Sequence, residues 1–254
     1  MNIHYLLIDI KRHFRNFSNT LFIIGIPLLM YLIFGSTQGA TDEMAFRGNV
    51  AFYVMVSMAI YGAVSAVVAI TGVAALESML GWSRQLGLTP MRNAGYVATK
   101  SVVAMLYSAV VVALIFIIGA LTGAHATSIW VWLNSALLAW LLSSVFALYG
   151  LAIALNFRSD SAASVATGLI VVLSFFGNLF VPLSGTMLNI ARFTPLYGIA
   201  ALVRWPQLSG HTMNVAGGEF GTDSLWFVIL NVVVWAAIFG ALAVFGMQRS
   251  RRRS

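Results

Sequence analysis

The sequence predicts an all-α integral membrane protein with six transmembrane helices. Of its 254 residues, 60% are hydrophobic and only 8% are charged, whereas a soluble domain carries about 25% charged residues. The uncharged residues gather into six runs, and a helix needs about 20 apolar residues to cross a hydrocarbon core of about 30 Å. Lysines and arginines collect at the ends of these runs rather than along one face, which speaks against a nucleic-acid partner. In lipid, backbone amides must be satisfied within the segment, so runs of this length are helices. The alternation that an outer-membrane barrel needs is missing. There are no cysteines, which removes disulfides and thiolate metal sites.

The first element is a candidate amphipathic helix over residues 1–17, the alternative being a merely basic leader to the first span. Ile3, Leu6, Leu7, Ile10, Phe14 and Phe17 recur at helical spacing, with Asp9, Lys11, Arg12 and Arg15 between them. Such a helix lies in the interface plane with its basic side chains toward lipid headgroups. Residues 17–34 form the first span, the shortest, with Gly25 and Pro27 near its middle, where a kink is expected. The second span is 50–76, the core of the third is 101–121 and the fourth is 129–155. Residues 162–190 contain the fifth span, which the stretch 180–185 closes, and 224–248 is the sixth.

Basic residues set the orientation. With the N-terminus inside, the cytoplasmic segments hold Lys11, Arg12, Arg15, Arg84, Arg92, Lys100, Arg158, Arg249, Arg251, Arg252 and Arg253. The outer segments hold only Arg47, Arg192 and Arg204. Both termini are then cytoplasmic, and the tail of arginines after the last span anchors it, able to meet anionic lipid headgroups. The longest outer loop, 184–223, opens with an apolar stretch that is punctuated by Pro195 and Pro206 and is too short to span. It is expected to be a re-entrant or interfacial hairpin, followed by an exposed loop over 210–222. His125 and His211 are expected to be solvated in outer loops. Asn134, Ser143, Ser144 and Asn231 are expected to make interhelical hydrogen bonds.

Much chemistry is excluded. The spans carry no Asp, Glu, Lys, Arg or His, which disfavours a proton-coupled carrier. Neither lysine, Lys11 nor Lys100, follows a glycine, so no phosphate-binding loop is possible. The seven acidic residues are scattered, with no metal-binding pattern and no catalytic cluster. The chain is thus expected to bind no cofactor and not to be an enzyme by itself. Two classes survive: a channel or structural protein, or the membrane part of a transporter powered by another chain. Sodium coupling through backbone carbonyls remains an alternative.

The most informative stretch is 77–100, between the second and third spans. It places Glu77, Arg84, Arg92 and Lys100 among Leu80, Trp82 and Leu86, an amphipathic, basic segment suited to contact with a cytoplasmic protein. Within it, Glu77-Ser-Met-Leu-Gly-Trp-Ser-Arg84-Gln-Leu-Gly-Leu-Thr-Pro90 resembles the acidic–basic–Leu–Thr-Pro pattern of the permease subunits of ABC-2 type ABC transporters. The outer stretch with Phe193-Thr-Pro195-Leu-Tyr197 is similar to that family's re-entrant segment. The N-terminal helix and six spans complete a resemblance over nearly the full length.

The resemblance implies a permease in a bacterial inner membrane, with ATP and magnesium held by a separate ATP-binding subunit. It implies a dimer with a second copy or a homologue, and a coupling loop seated on the ATPase through Glu77, Leu80, Trp82, Arg84, Leu86 and Arg92. The segment 156–161 could make a smaller second contact. The substrate path would follow the dimer seam along Tyr61 and Ser65 of the second span, near Thr71, and Phe175, Phe176, Asn178 and Phe180 of the fifth. Aromatic rings with a few polar groups suit an amphipathic organic cargo, such as a drug, antibiotic, lipid or peptide moved outward. A polysaccharide or lipid-linked glycan exporter is the alternative within the family.

Overall fold

The structure, a computed structural model, describes residues 11, 17–35, 43–77, 93–157, 162–213 and 221–251. The N-terminal helix expected over 1–17, most of the coupling loop and the segment 158–161 fall outside the described residues. Among those described, eight helices follow one another: α1 (Phe17–Gly35), α2 (Val50–Glu77), α3 (Asn93–Leu121), α4 (Ile129–Asn156), α5 (Ala162–Phe176), α6 (Gly185–Ala191), α7 (Pro195–Leu208) and α8 (Leu225–Arg251). A small antiparallel hairpin, β1 (Met44–Ala45) and β2 (Gly48–Asn49), precedes α2.

Four helices, α2, α3, α4 and α8, are each long and apolar enough to cross a membrane, and the bent pair α6–α7 raises that to at most five. The apolar helices α1 and α5 are shorter, at 19 and 15 residues. The chain is therefore predominantly helical and multi-pass, with four or five candidate spans by length. The α1 helix continues through Pro27, which packs at Gly62 of α2.

The bundle is organised around α2. Its membrane-length stretch is 83% buried, against 28% for α8, and it packs against α1, α3, α4, α5 and α7. Small residues make this possible. Ala59, Ala63 and Ala66 are buried, and a Cβ at Gly150 of α4 would fall 2.3 Å from the Thr71 hydroxyl of α2. In a membrane, helices associate by close packing rather than by a hydrophobic driving force, so small side chains set the approach.

Capping explains where two of the helices begin. Asn49 Oδ1 accepts from the Phe52 amide at 3.0 Å and Ser128 Oγ from the Trp130 amide at 3.3 Å, each satisfying a donor that the first helical turn leaves open. Lys100 lies within α3 and is buried, not in the preceding loop, because the helix starts seven residues earlier, at Asn93.

The fifth helix stops at Phe176, before the stretch expected to close it. Gly177 presses against Leu196 of α7, where a Cβ would approach to 2.9 Å, and Asn178 takes a left-handed conformation with φ 58°. The chain leaves the helix at this contact, so Asn178 and Phe180 belong to a turn. From Gly185 it forms the α6–α7 pair, bent by 97°, in the stretch where the sequence predicts a re-entrant or interfacial hairpin. Thr194 and Pro195 place the break and the new helix start, consistent with proline's preference for the first helical turn.

Of the four polar residues expected to bond between helices, two differ. Asn134 is exposed, and the Ser144 hydroxyl donates to Leu141 O of its own helix at 2.6 Å. Asn231 Nδ2 does bond between elements, to Arg192 O at 2.8 Å. Ser143 donates to Trp140 O at 2.6 Å within α4 and also lies 3.5 Å from Ser108 Oγ of α3.

Candidate functional site

One end of the bundle carries a polar cap. The β1–β2 hairpin, the loop 122–128, α7 and the segment after it converge there. Asn49 stitches the first two: its Oδ1 also accepts from His125 N at 2.9 Å, and its Nδ2 donates to Gly123 O at 2.8 Å. Gln207 of α7, fully buried, donates through Nε2 to Ala45 O and Asn49 O at 3.4 and 3.3 Å. Arg47 N donates to Gln207 O at 3.2 Å, and Thr127 N to Arg47 O at 2.8 Å.

Arg204 is the centre of this cap. Sequence reading placed it among the outer-loop charges, but it lies inside α7 and is only 4% exposed. Its Nη2 donates to Ser57 Oγ of α2 at 2.6 Å and to Asn178 O at 2.8 Å, and its guanidinium lies 4.2 Å from the centre of the Tyr53 ring. Tyr53 in turn donates to Asn178 O at 3.4 Å. One side chain thus joins α2, the turn after α5, and α7. A charge buried this deeply is costly unless it is hydrogen-bonded and compensated. The signal in the sequence was a lone arginine in the apolar run 195–206, which marks a functional or structural polar contact when it stands at membrane depth.

A second polar cluster flanks it. Arg192 Nε donates to Asp223 Oδ1 at 2.8 Å, and the Tyr197 hydroxyl donates to the other carboxylate oxygen. Arg192 Nη1 also donates to Asn189 Oδ1 at 3.1 Å. This cluster ties the α6–α7 corner to the start of α8. Asp223 is 5% exposed and Arg192 26%. His211 is not simply solvated: it stacks on Phe46 at 4.4 Å, and its Nδ1 is 2.9 Å from Leu208 O. The loop it begins is closed by a bridge to Thr222, and Thr212 is buried.

The residues expected along the substrate path are partly brought together. Tyr61 meets Phe180 edge-on at 5.1 Å, and Phe180 meets Phe175 edge-on at 5.0 Å. Ser65 lies one turn along α2 from Tyr61. Asn178 stands apart in role: its carbonyl receives Arg204 and Tyr53, and its Oδ1 accepts from Leu183 N at 2.6 Å. The carbonyl of Phe176, which is half-buried, accepts from the Thr194 hydroxyl at 3.4 Å. Two helices that pack on α2 carry bare apolar faces. One is Phe22, Ile26, Leu29 and Ile33 on α1; the other is Val165, Leu169, Val172 and Phe175 on α5. On the largely buried helix α2, Ala69 is half-buried and Val73 exposed, while Tyr61 and Ser65 on the same helix are buried.

Of the coupling-loop residues, Glu77 closes α2, while Leu80, Trp82, Arg84, Leu86 and Arg92 lie outside the described residues.

A predominantly helical, multi-pass chain agrees with the comparisons. The family model for the ABC-2 type transporter matches residues 6–207. The chain belongs to the ABC-2 type transporter family. A Bacillus subtilis (strain 168) protein described as "Putative transport permease YvfS" is 24% identical over 245 residues, 93% of each chain. Membership in this permease family implies a non-catalytic membrane subunit that works with an ABC ATP-binding subunit.

Proposed function

We propose that this ABC-2 chain is the permease of an exporter that moves a hydrophobic or amphipathic compound, such as a drug, antibiotic, lipid or peptide, out across a bacterial inner membrane. Six crossings are completed by α1 and by α5 with the turn after it, both termini are cytoplasmic, and the polar cap faces outward. ATP and magnesium belong to the partner subunit, which seats the loop 77–100 through Leu80, Trp82, Leu86 and the charges around them.

The observation that carries this reading is the bare face of α5 that includes Phe175, joined through Phe180 to Tyr61 of α2, together with a bare face on α1, which also packs on α2. Closed by a second copy or a homologue, they would form a seam lined by aromatic rings and by Ser65, whose mixed polarity suits an amphipathic cargo. Lipid would cover the other exposed apolar faces.

The test is a mild-detergent purification of the full chain from its native membranes, with ATP hydrolysis assayed on the eluate. A co-purifying ATPase whose activity is vanadate-sensitive is expected. Arg84→Glu with Leu86→Ala should lose that subunit while the permease still inserts, because an apolar anchor ringed by charge dominates such contacts. A double mutant that keeps the ATPase and transports normally would overturn the coupling assignment. A chain that elutes alone without ATPase activity would overturn the exporter reading.

A further inference from the structure

Among the described residues, Arg204 has a hydrogen-bonding and charge deficit that its neighbours leave open. Its Nε has no hydrogen-bond partner. Asp223, which lines the same cavity, is already held by Arg192 and Tyr197. Among the described residues the guanidinium has no acidic partner within ion-pair distance, and its neighbours are a hydroxyl, a carbonyl and an aromatic face. A cation desolvated to this degree without an anion is strongly unfavourable.

The same arginine lines a cavity, with Tyr53, Asn178, Tyr197, Trp205 and Thr212 among the other walls. The cavity has a volume of about 20 Å³, enough for a single small particle. His211 and Met213 also line it, which places it at the polar cap. Asp223 at its rim is charge-compensated by Arg192. A water molecule here would supply a hydrogen-bond acceptor but leave the positive charge uncompensated. A monatomic anion would supply both.

We propose that this cavity is a binding site for a small inorganic anion of halide size, with Arg204 as its counter-charge. The bound ion neutralises the cation that holds α2, the turn after α5, and α7 together, so it stabilises the cap. The site is separate from the aromatic seam and needs neither the cargo nor the transport direction to be known.

Trp205 lines the cavity and supplies an internal probe. The full-length chain, purified in mild detergent, is titrated with bromide against gluconate at constant ionic strength. Expected is a saturable quench of tryptophan fluorescence, which Trp205→Phe abolishes, together with a higher thermal midpoint in chloride or bromide than in gluconate. Arg204→Met should lose both responses. If that variant does not fold, crystals of the unaltered protein grown in bromide should show an anomalous peak in the cavity. A purely linear quench, equal midpoints in all three anions and an empty anomalous map would overturn the proposal. So would a midpoint that falls in Glu219→Gln while ignoring halide, since the counter-charge would then come from the chain itself.

Discussion

Removing one hydroxyl from α2 tests the central structural argument. Ser57 Oγ donates to Tyr53 O at 2.7 Å and accepts from Arg204 Nη2 at 2.6 Å, and both Ser57 and Arg204 are buried. Ser57→Ala takes away an acceptor from a charged donor, a bond worth about 1.5–3 kcal/mol. Arg204 keeps Asn178 O and the Tyr53 ring, which puts the loss at the lower end, about 1.5–2 kcal/mol. At roughly 2–4 °C per kcal/mol for a chain of this size, the midpoint should fall by about 3–8 °C. The assay is size-exclusion chromatography of the detergent-purified protein after heating through a temperature series. Ser174→Ala is the control, because that equally buried hydroxyl donates only to Ile170 O of its own helix, at 2.7 Å. Such a bond back to the preceding turn adds little to stability. If Ser57→Ala and Ser174→Ala shift the midpoint equally, Arg204 is not anchored as the geometry states.

The same assay reads three further predictions. In Gly198→Ala, the new methyl would fall 2.3 Å from Asn231 Oδ1, forcing α7 and α8 apart at a cost of about 1–3 kcal/mol; Gly168→Ala, with open space around it, should be neutral. Asn49→Ala removes the cap of α2 and the acceptor and donor that hold residues 123–125; it should cost about 2–4 kcal/mol, from the lost cap and the buried groups it leaves unpaired. A double-mutant cycle of Arg192→Ala and Asp223→Ala should give a coupling of about 1 kcal/mol that shrinks in high salt, because Arg192 is partly exposed; zero coupling would remove this pair from the account of how α8 is fixed.

The broad fold was legible because lipid leaves little choice: long uncharged runs must be helices, and 50–76, 101–121, 129–155 and 224–248 match α2, α3, α4 and α8 closely. The bent pair α6–α7 was legible from Pro195 and from the shortness of the apolar stretch. The end of α5 was not. It is set by contact with Leu196, nineteen positions after Gly177, and no local signal separates 177–183 from the helix before it. Tyr61, Phe175 and Phe180 were chosen for residue type, and the structure brings their rings together. Asn178 was chosen with them, but its carbonyl and amide oxygen are engaged in the fold. Arg204 was missed for a related reason: a charge count assigns an arginine to a side of the membrane, whereas burial depends on what α2 and the turn after α5 present to it.

That burial links the two sites. The helix that offers Ser57 and Tyr53 to Arg204 offers Tyr61 and Ser65 to the aromatic group one and two turns further on. The turn that offers Asn178 O to Arg204 carries Phe180 two residues later. The same two segments therefore supply walls of the cap and two rings, Tyr61 and Phe180, of the aromatic group that lines the proposed seam. A rotation of α2 that opened the seam by moving Tyr61 off Phe180 would also carry Ser57 away from Arg204, unless α7 followed. Because bonds to a buried cation are strong and geometrically demanding, α7 is expected to follow, so that cap and seam move as one body when the permease changes state.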